Sequence, residues 1–324
     1  MSPDFVSAQT GGAAIARPHF TIIEAPSVLG LLEKGVETLP DALLAKGLGE
    51  RLEAQRAGRV EPPQNDHRRD PETMLLNPRG IAAYSVALAD VVERVIDMGE
   101  FPVVLGGDCS ILLGCLLALR RRGRHGLLFL DGHADFYQPE AEPDGEAASM
   151  ELALATGRGP VVVTDPEGRR PLVRDEDVVV LGRRDAEIAK AHGCQRIEDT
   201  AITVIDFAEV RKCGAGEVVH RAIEELSRPE IVGIWVHLDA DVLDDAVMPA
   251  VDYRMPGGLS WEELATILQV AIASGRAIGL NITIFNPKLD SDGSIAAAFV
   301  DALVKGPAVV ICAIVILSFT ARRP

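Results

Sequence analysis

Residues 127–135 read LLFLDGHAD, and this stretch decides the fold class. Its first four residues form an apolar run of the length and composition that are typical of a buried strand. The run ends in Asp131, His133 and Asp135, which are spaced two residues apart. Because residues two apart in extended chain point to the same side, these three side chains can face one cavity. The stretch therefore predicts a buried strand that carries functional groups at its carboxyl end.

The same pattern occurs twice more along the chain. Residues 103–105 run into GGDCS at 106–110, and residues 234–238 run into Asp239 and Asp241. Similar apolar runs predict further buried strands, and stretches with apolar residues at a 3.6-residue period predict helices between them. The predicted strands are 20–23, 101–105, 126–130, 178–181, 202–205, 231–238 and 277–284, and the predicted helices are 81–98, 110–121, 217–226, 261–273 and 294–305. This alternation predicts an α/β fold with one mostly parallel sheet and helices on both faces.

The connections are mostly short, which favours a single domain over residues 1–306 followed by an apolar tail at 307–324. The polar, proline-bearing segment 57–72 is predicted to be a surface loop. In the tail, ten consecutive apolar residues (308–317) include three valines and three isoleucines, which favours a strand over a helix. The tail is expected to be buried against its own chain or against a neighbouring subunit.

Charge and composition exclude several function classes. The 324 residues include 32 Lys and Arg and 48 Asp and Glu, for a net charge of −16, so binding to nucleic acid or to an anionic membrane is not expected. Residues 1–17 show no secretory signal, and the five scattered cysteines indicate a reducing compartment, so we predict a cytoplasmic protein. No internal stretch reaches the roughly 18 apolar residues of a membrane span.

The acidic strand ends indicate a metal site. Carboxylates that converge in a pocket of low dielectric repel one another, and a pair of divalent cations removes that cost. The candidate ligands are Cys109, Asp131, His133, Asp135, Asp239 and Asp241. A carboxylate-rich site favours Mn²⁺ or Mg²⁺, and imidazole favours Mn²⁺ of the two. Alternatively, single acids among these cap the following helices, and Cys109 is only a packed thiol. His237, inside a buried strand, is expected to support the site rather than to ligate.

Taken together, these motifs resemble the ureohydrolase superfamily, which includes arginases and agmatinases. The family's GGDHS, DAHxD and SxDxDxxDP motifs correspond to GGDCS at 106–110, DGHAD at 131–135 and HLDADVLDD at 237–245. GVETLP at 35–40 and PGGLS at 256–260 are also similar to family segments. The resemblance covers most of the chain and implies a three-layer αβα sandwich with a binuclear Mn²⁺ site, whose bridging hydroxide attacks a guanidinium carbon.

The resemblance also implies a role for each candidate ligand. Asp131 and Asp239 would bridge both metal ions, while Cys109 and Asp135 would complete one ion and His133 and Asp241 the other. Asp135 would in addition pass the proton of the hydroxide to the leaving amine. A thiolate at Cys109 would shift the preference towards Zn²⁺, Co²⁺, Fe²⁺ or Ni²⁺, although Mn²⁺ remains the principal expectation. Family members usually form trimers or hexamers, so a homo-oligomer is expected.

Three departures from the family motifs concern the substrate. Cys109 replaces a histidine ligand, Ala148 stands where a proton-shuttle histidine is expected, and Ile284 replaces the glutamate that pairs with the guanidinium. Glu187 stands where arginases place an acid for the α-amino group of the substrate, and it is a candidate substrate-binding residue. The sequence thus predicts a metal-dependent hydrolase of a carbon–nitrogen bond in a guanidino, amidino or related small molecule other than arginine or agmatine. A non-catalytic metal-binding homologue is the alternative, and amide deacylation ranks behind both.

Overall fold

All strands of the described chain lie in one parallel sheet. The computed structural model describes the backbone of residues 18–32 and 35–320. The strands are β1 (Phe20–Glu24), β2 (Gln55–Arg59), β3 (Phe101–Leu105), β4 (Gly126–Leu130), β5 (Val178–Leu181), β6 (Thr203–Ile205), β7 (Ile234–Asp239) and β8 (Ala277–Thr283). Their order in the sheet is β2-β1-β3-β8-β7-β4-β5-β6, and every neighbouring pair is parallel.

Helices cover both faces of this sheet, so the fold is a three-layer αβα sandwich. The helices are α1 (Leu39–Ala45), α2 (Leu48–Leu52), α3 (Pro78–Asp97), α4 (Ile111–Arg122), α5 (Glu151–Ala155), α6 (Val161–Thr164), α7 (Ala186–Ala191), α8 (Phe207–Cys213), α9 (Ala215–Glu225), α10 (Trp261–Ala273) and α11 (Ser294–Thr320). Alternate strand residues enter separate apolar cores: Leu128 packs with α9, α10 and α11, whereas Phe129 packs with α3 and α4. The predicted α/β architecture is confirmed.

The seven predicted strands and five predicted helices are all present, but the prediction missed β2. This strand lies at one border of the sheet and is exposed along its whole length, so it shows no apolar periodicity. Residues 57–59 therefore belong to a strand, and the prediction of a loop from residue 57 was wrong there. β2 forms because it pairs with β1, where the guanidinium groups of Arg56 and Arg59 bind Glu24.

The expectation that the tail forms a strand was wrong. Its backbone continues α11 as a helix to Thr320, with Pro307 inside the helix, rather than forming a strand. Extending an existing helix adds one hydrogen bond per residue without a new nucleation step, and this outweighs the modest strand preference of Val and Ile. Residues 321–324, which include the basic end of the tail, lie outside the described residues. Within the described part of the chain, no helix is both long enough and apolar enough to cross a membrane.

Candidate metal centre

Four neighbouring strands in the middle of the sheet bring the predicted ligands together. β3, β8, β7 and β4 are adjacent and parallel, so their carboxyl ends meet at one edge. Leu130 of β4 is in register with Leu238 of β7, which places Asp131 beside Asp239. Both carboxylates are fully buried. Ligands of open α/β sheets bind at this edge, where the chain connections reverse direction.

The turns after β4 and β7 orient the acids through backbone amides. The N–H of His133 donates to Asp131 Oδ1 (2.6 Å), and the N–H of Asp241 donates to Asp239 Oδ1 (2.7 Å). The N–H of Gly132 donates to Asp241 Oδ1 (3.1 Å), which joins the two turns. A Cβ at Gly132 would lie 2.5 Å from Nη1 of Arg184 and 2.9 Å from the backbone oxygen of Asp241, so a larger residue would displace one of them.

Arg184, a residue that the sequence prediction missed, braces the loop after β7. Its Nη2 donates to the carbonyl oxygens of Asp241 (2.6 Å), Leu243 (3.1 Å) and Met255 (3.1 Å). Its positive charge is also one of the influences that lower the pKa of Asp241. The segment GRRD at 182–185 does not reveal this role of Arg184, because the carbonyl groups that it binds come close only in the folded chain.

His133 and Asp241 form a close pair in the candidate site. His133 Nδ1 lies 2.9 Å from Asp241 Oδ2 and 3.7 Å from Asp131 Oδ1. Burial alone would lower the pKa of His133, but the attraction of these carboxylates outweighs burial and raises that pKa well above its usual value. Burial likewise tends to raise the pKa of Asp241, and the neighbouring His133 overcomes this and lowers it. The two shifts have the same cause, which is the close approach of the imidazole and the Asp241 carboxylate.

Cys109 follows β3 and reaches the same cluster. Its buried Sγ lies 2.8 Å from Asp239 Oδ2 and 3.2 Å from Thr283 Oγ1. Burial, followed by the charge of Asp239, raises the pKa of the Cys109 thiol well above its usual value. The preceding Gly107 allows this approach, because a Cβ there would lie 1.7 Å from the carbonyl oxygen of Ser27. Thr283, at the end of β8, was not predicted to contact the site.

Asp135 and Glu151 complete the acidic cluster. Asp135 has a positive φ of 44°, a backbone conformation that costs free energy for any residue with a side chain. Glu151 is the first residue of α5 and is fully buried. Burial and the charge of Glu151 raise the pKa of Asp135, while burial and the charge of Asp131 raise that of Glu151. Sequence reasoning missed Glu151, although an acid inside the apolar stretch MELALA (150–155) is a signal of a buried carboxylate.

A chain of hydrogen bonds sets the protonation of His237. Trp235 Nε1 lies 2.7 Å from Asn281 Oδ1, and Asn281 Nδ2 lies 2.7 Å from His237 Nδ1. An indole nitrogen only donates, so Asn281 must present its oxygen to Trp235 and its amide hydrogens to His237. His237 Nδ1 is therefore an acceptor, and the proton of the neutral ring sits on Nε2. Burial lowers the pKa of His237 to about 3, and the ring stacks on Phe129 at 4.6 Å.

The residues of the cluster fit divalent metal ions. Among the described residues, buried atoms without a hydrogen-bond partner at this site are Asp131 Oδ2, both carboxylate oxygens of Glu151 and His237 Nε2. Five carboxylates converge here, and burying unpaired charges costs several kcal/mol each. Ligand atoms of Asp131, His133 and Asp241 lie within 4.8 Å of one another, and so do those of Cys109, Asp135 and Glu151. Two further groups, Cys109–His237–Asp239 and Asp131–Glu151–His237, overlap with these sets, so the cluster as a whole offers carboxylate-rich sites that could hold divalent ions.

The structure places the predicted substrate-binding acid outside this cluster. Glu187 lies in the first turn of α7, where it is exposed and makes no described contact with the acidic residues. The buried acid of the same loop is Asp185, which pairs with Arg183 (2.7 Å) and accepts from the N–H of Ala134 (3.3 Å). Asp185 thus links the loop after β5 to the turn that holds Asp135.

Two substituted positions border the site and are apolar. Ala148 is buried, and its N–H donates to the carbonyl oxygen of Gly30 (3.1 Å). Ile284 follows β8 with a φ of 70°, where a β-branched residue is a clear outlier, and its N–H donates to Gly107 O (2.9 Å). Neither side chain can offer a charge to a cationic substrate.

The comparisons with known proteins agree with this geometry. A sequence model of the arginase family matches residues 19–306. The arginase of Staphylococcus aureus strain COL is 29% identical over 283 residues, which cover 85% of this chain and 92% of that protein. The arginase of Bacillus subtilis strain 168 is 28% identical over 291 residues, covering 87% and 96% respectively. The native structure of Bacillus caldovelox arginase superposes with a TM-score of 0.79 at 27% identity, covering 89% of this chain and 97% of that one. The chain therefore belongs to the arginase family, whose members hydrolyse carbon–nitrogen bonds other than peptide bonds.

Proposed function

We propose that this protein is a metal-dependent hydrolase that cleaves a carbon–nitrogen bond in a guanidino, amidino or related compound other than arginine or agmatine. The observation that carries the proposal is the convergence of buried carboxylates with unpaired oxygens at the carboxyl ends of the central strands. A buried acidic cluster of this kind is costly without cations. The residues that would hold two divalent ions are Cys109, Asp131, His133, Asp135, Asp239 and Asp241.

Two bound divalent ions, with Mn²⁺ as the principal candidate, would lower the pKa of a water molecule and stabilise the negative charge that develops on the substrate. The chain itself supplies orientation and proton transfer. The bonds from the backbone to Asp131 and Asp239 fix both acids before any ligand arrives. Such preorganisation removes the cost of arranging the site during the reaction.

Asp135 is the candidate proton carrier. It lies at the more open side of the cluster beside His133, whose side chain is 20% exposed, so that a substrate can approach from there. By family resemblance, its carboxylate would take a proton from the attacking water and deliver it to the leaving amine.

The apolar residues at the border of the site argue against arginine and agmatine as substrates. A guanidinium group that enters a buried site needs a carboxylate partner, and Ile284 presents only hydrocarbon at the position where the family motif carries a glutamate. A related compound whose carbon–nitrogen group carries no positive charge would not need that partner.

Metal content and turnover test the proposal together. Asp131→Asn and Asp239→Asn should each lose more metal than Asp241→Asn, because by family resemblance the first two would serve both ions. Elemental analysis of the purified variants measures this, and unchanged metal in both bridging variants would reject the site. Release of urea, ammonia or amine from a panel of guanidino and amidino compounds identifies the reaction.

A non-catalytic homologue that binds metal is the second candidate, and the apolar side chains of Ala148 and Ile284 favour it. A non-catalytic homologue would bind the metal ions but would hydrolyse no compound of the panel. The two candidates are separated by turnover and not by metal content.

A further inference from the structure

Glu151 is a buried acid for which the described residues provide no cationic partner. Its side chain is fully buried at the start of α5, and neither carboxylate oxygen has a hydrogen-bond donor among the described residues. Structural acids elsewhere in this protein are held differently: buried Asp177, for example, is bound by Arg124 (2.6 Å) and Arg228. A buried carboxylate without a donor is strongly unfavourable unless a cation is bound to it.

The neighbours of Glu151 are themselves potential ligands. A carboxylate oxygen of Glu151, Cys109 Sγ and a carboxylate oxygen of Asp135 all lie within 4.8 Å of one another. A second group joins Glu151 with Asp131 and His237 within the same distance. Glu151 thus faces the acidic cluster on the side of Cys109 and not the His133–Asp241 pair.

His237 lies beside Glu151 but is not suited to be a further ligand. Its Nε2 lies 3.9 Å from Glu151 Oε1, and the bonds from Trp235 through Asn281 leave the ring proton on that nitrogen. A nitrogen that carries a proton cannot ligate a metal, whereas it can direct a carboxylate oxygen. His237 is therefore a positioning residue.

We propose that Glu151 supplies a seventh ligand, a carboxylate for the metal ion on the Cys109 and Asp135 side, and that His237 orients it. This inference rests on the proposed function, since it requires that the site hold divalent ions. The segment 144–151 has no histidine at Ala148 but brings this additional acid to the cluster. The ligand set of this chain consequently contains more carboxylate than the six motif positions alone provide.

The test uses the full chain and Mn²⁺, with Glu151→Gln as the variant and Glu142→Gln as the matched control. Glu142 is a buried acid of the loop that leads to α5, but it accepts from the N–H of Glu146 (2.7 Å) and lies outside the cluster. We expect one of the two Mn²⁺ ions to bind at least about tenfold more weakly in Glu151→Gln, since even residues that only support a ligand change metal affinity by about 10–100-fold. The other ion and both ions of the control should bind as in the wild type.

The unfolding temperature with EDTA supplies a readout that is independent of activity. Metal-free Glu151→Gln should unfold at the same temperature as the metal-free wild type or at a higher one, because an unpaired buried acid has been removed. Glu151→Asp keeps the carboxylate and should restore part of the lost Mn²⁺ affinity.

Each other result contradicts the inference in a distinct way. If Glu151→Gln binds both ions with wild-type affinity, Glu151 is not a ligand, although the proposed function stands. If Glu151→Gln unfolds in EDTA more readily than the wild type, the acid has a structural role instead. If the wild type binds no Mn²⁺, the proposed function fails as well.

Discussion

Replacing Trp235 by phenylalanine should destabilise the protein through one specific hydrogen bond. The indole is fully buried and donates to Asn281 Oδ1 at 2.7 Å. Loss of this hydrogen bond leaves the buried side-chain oxygen of Asn281 unpaired, which costs about 1–3 kcal/mol. The ring also packs against Gly279, where a Cβ would lie 2.1 Å from the indole, so the smaller ring leaves a gap. The removal of about three heavy atoms, at about 0.8 kcal/mol per buried methylene, adds about 2 kcal/mol.

The free energy of unfolding should therefore fall by about 3–5 kcal/mol, measured by urea titration with circular dichroism. The chain offers a matched control in Trp261→Phe, since Trp261 is half-buried on α10 and packs on Phe299 without a described hydrogen bond of its indole nitrogen. The Trp235→Phe variant also frees the amide of Asn281 to turn over, so the proton of His237 should no longer be confined to Nε2. Nitrogen chemical shifts of the imidazole report this change. A Trp235→Phe variant that is no less stable than Trp261→Phe and keeps the Nε2 proton would refute the reasoning.

Four further predictions follow from the site and the tail. Cys109→His should raise Mn²⁺ occupancy relative to Zn²⁺, as judged by elemental analysis, because imidazole is a harder ligand than thiolate; if Cys109→Ala and Cys109→His both leave metal identity and content unchanged, the cysteine is only packed. Neither arginine nor agmatine should yield urea at a significant rate, and efficient release would show that another acid, such as Glu146 or Asp252, pairs with the guanidinium. In EDTA, stability should fall as the pH rises above about 6.5, by about 1.4 kcal/mol per pH unit for each extra proton that the folded state holds. The sign above pH 6.5 follows from the raised pKa of His133; the raised pKa values of Asp131 and Asp239 act in the same direction from about 3.8 upward, and the lowered pKa of His237 opposes them only between about 3 and about 6.5. Stability that rises with pH above about 6.5 in urea titrations would contradict this. Deletion from Pro307 onward should reduce the subunit number in light scattering if the tail packs on a neighbouring subunit, while an unchanged mass of the folded protein would place the tail against its own chain.

The sequence predicted those parts of the fold that depend on local patterns. Apolar runs of four to eight residues marked seven strands, because the middle of a parallel sheet is buried on both faces. The helix predicted over 81–98 is present as α3, which begins three residues earlier, at Pro78, so that Asn77 stands at the position of a capping residue. Asn77, however, does not cap that helix with its side chain, which instead accepts from the N–H of Asp66 (2.6 Å) and donates to Leu29 O (2.9 Å).

The candidate site was predictable only as far as the ends of the strands. Asp131 and Asp239 follow apolar runs directly, so their convergence depends on nothing but the parallel sheet. Thr283 and Asn281 reach the site from within β8. Each is a single polar residue in a buried strand, and no sequence motif around it predicts a contact with the site. The role of Glu151 depends on how a loop of twenty residues folds back between β4 and α5, which no local pattern specifies.

The two borders of the sheet limit how copies of this protein can associate. At one border of the described sheet, β2 carries the charged residues Arg56 and Arg59, and its register with β1 is interrupted beside Gly58. At the other border, β6 contains only three residues. Charged, irregular or very short outer strands prevent an incoming strand from pairing with the open backbone groups. Subunits would consequently assemble through helices and loops, and the parallel sheet, despite its apolar strands, is protected from edge-to-edge polymerisation.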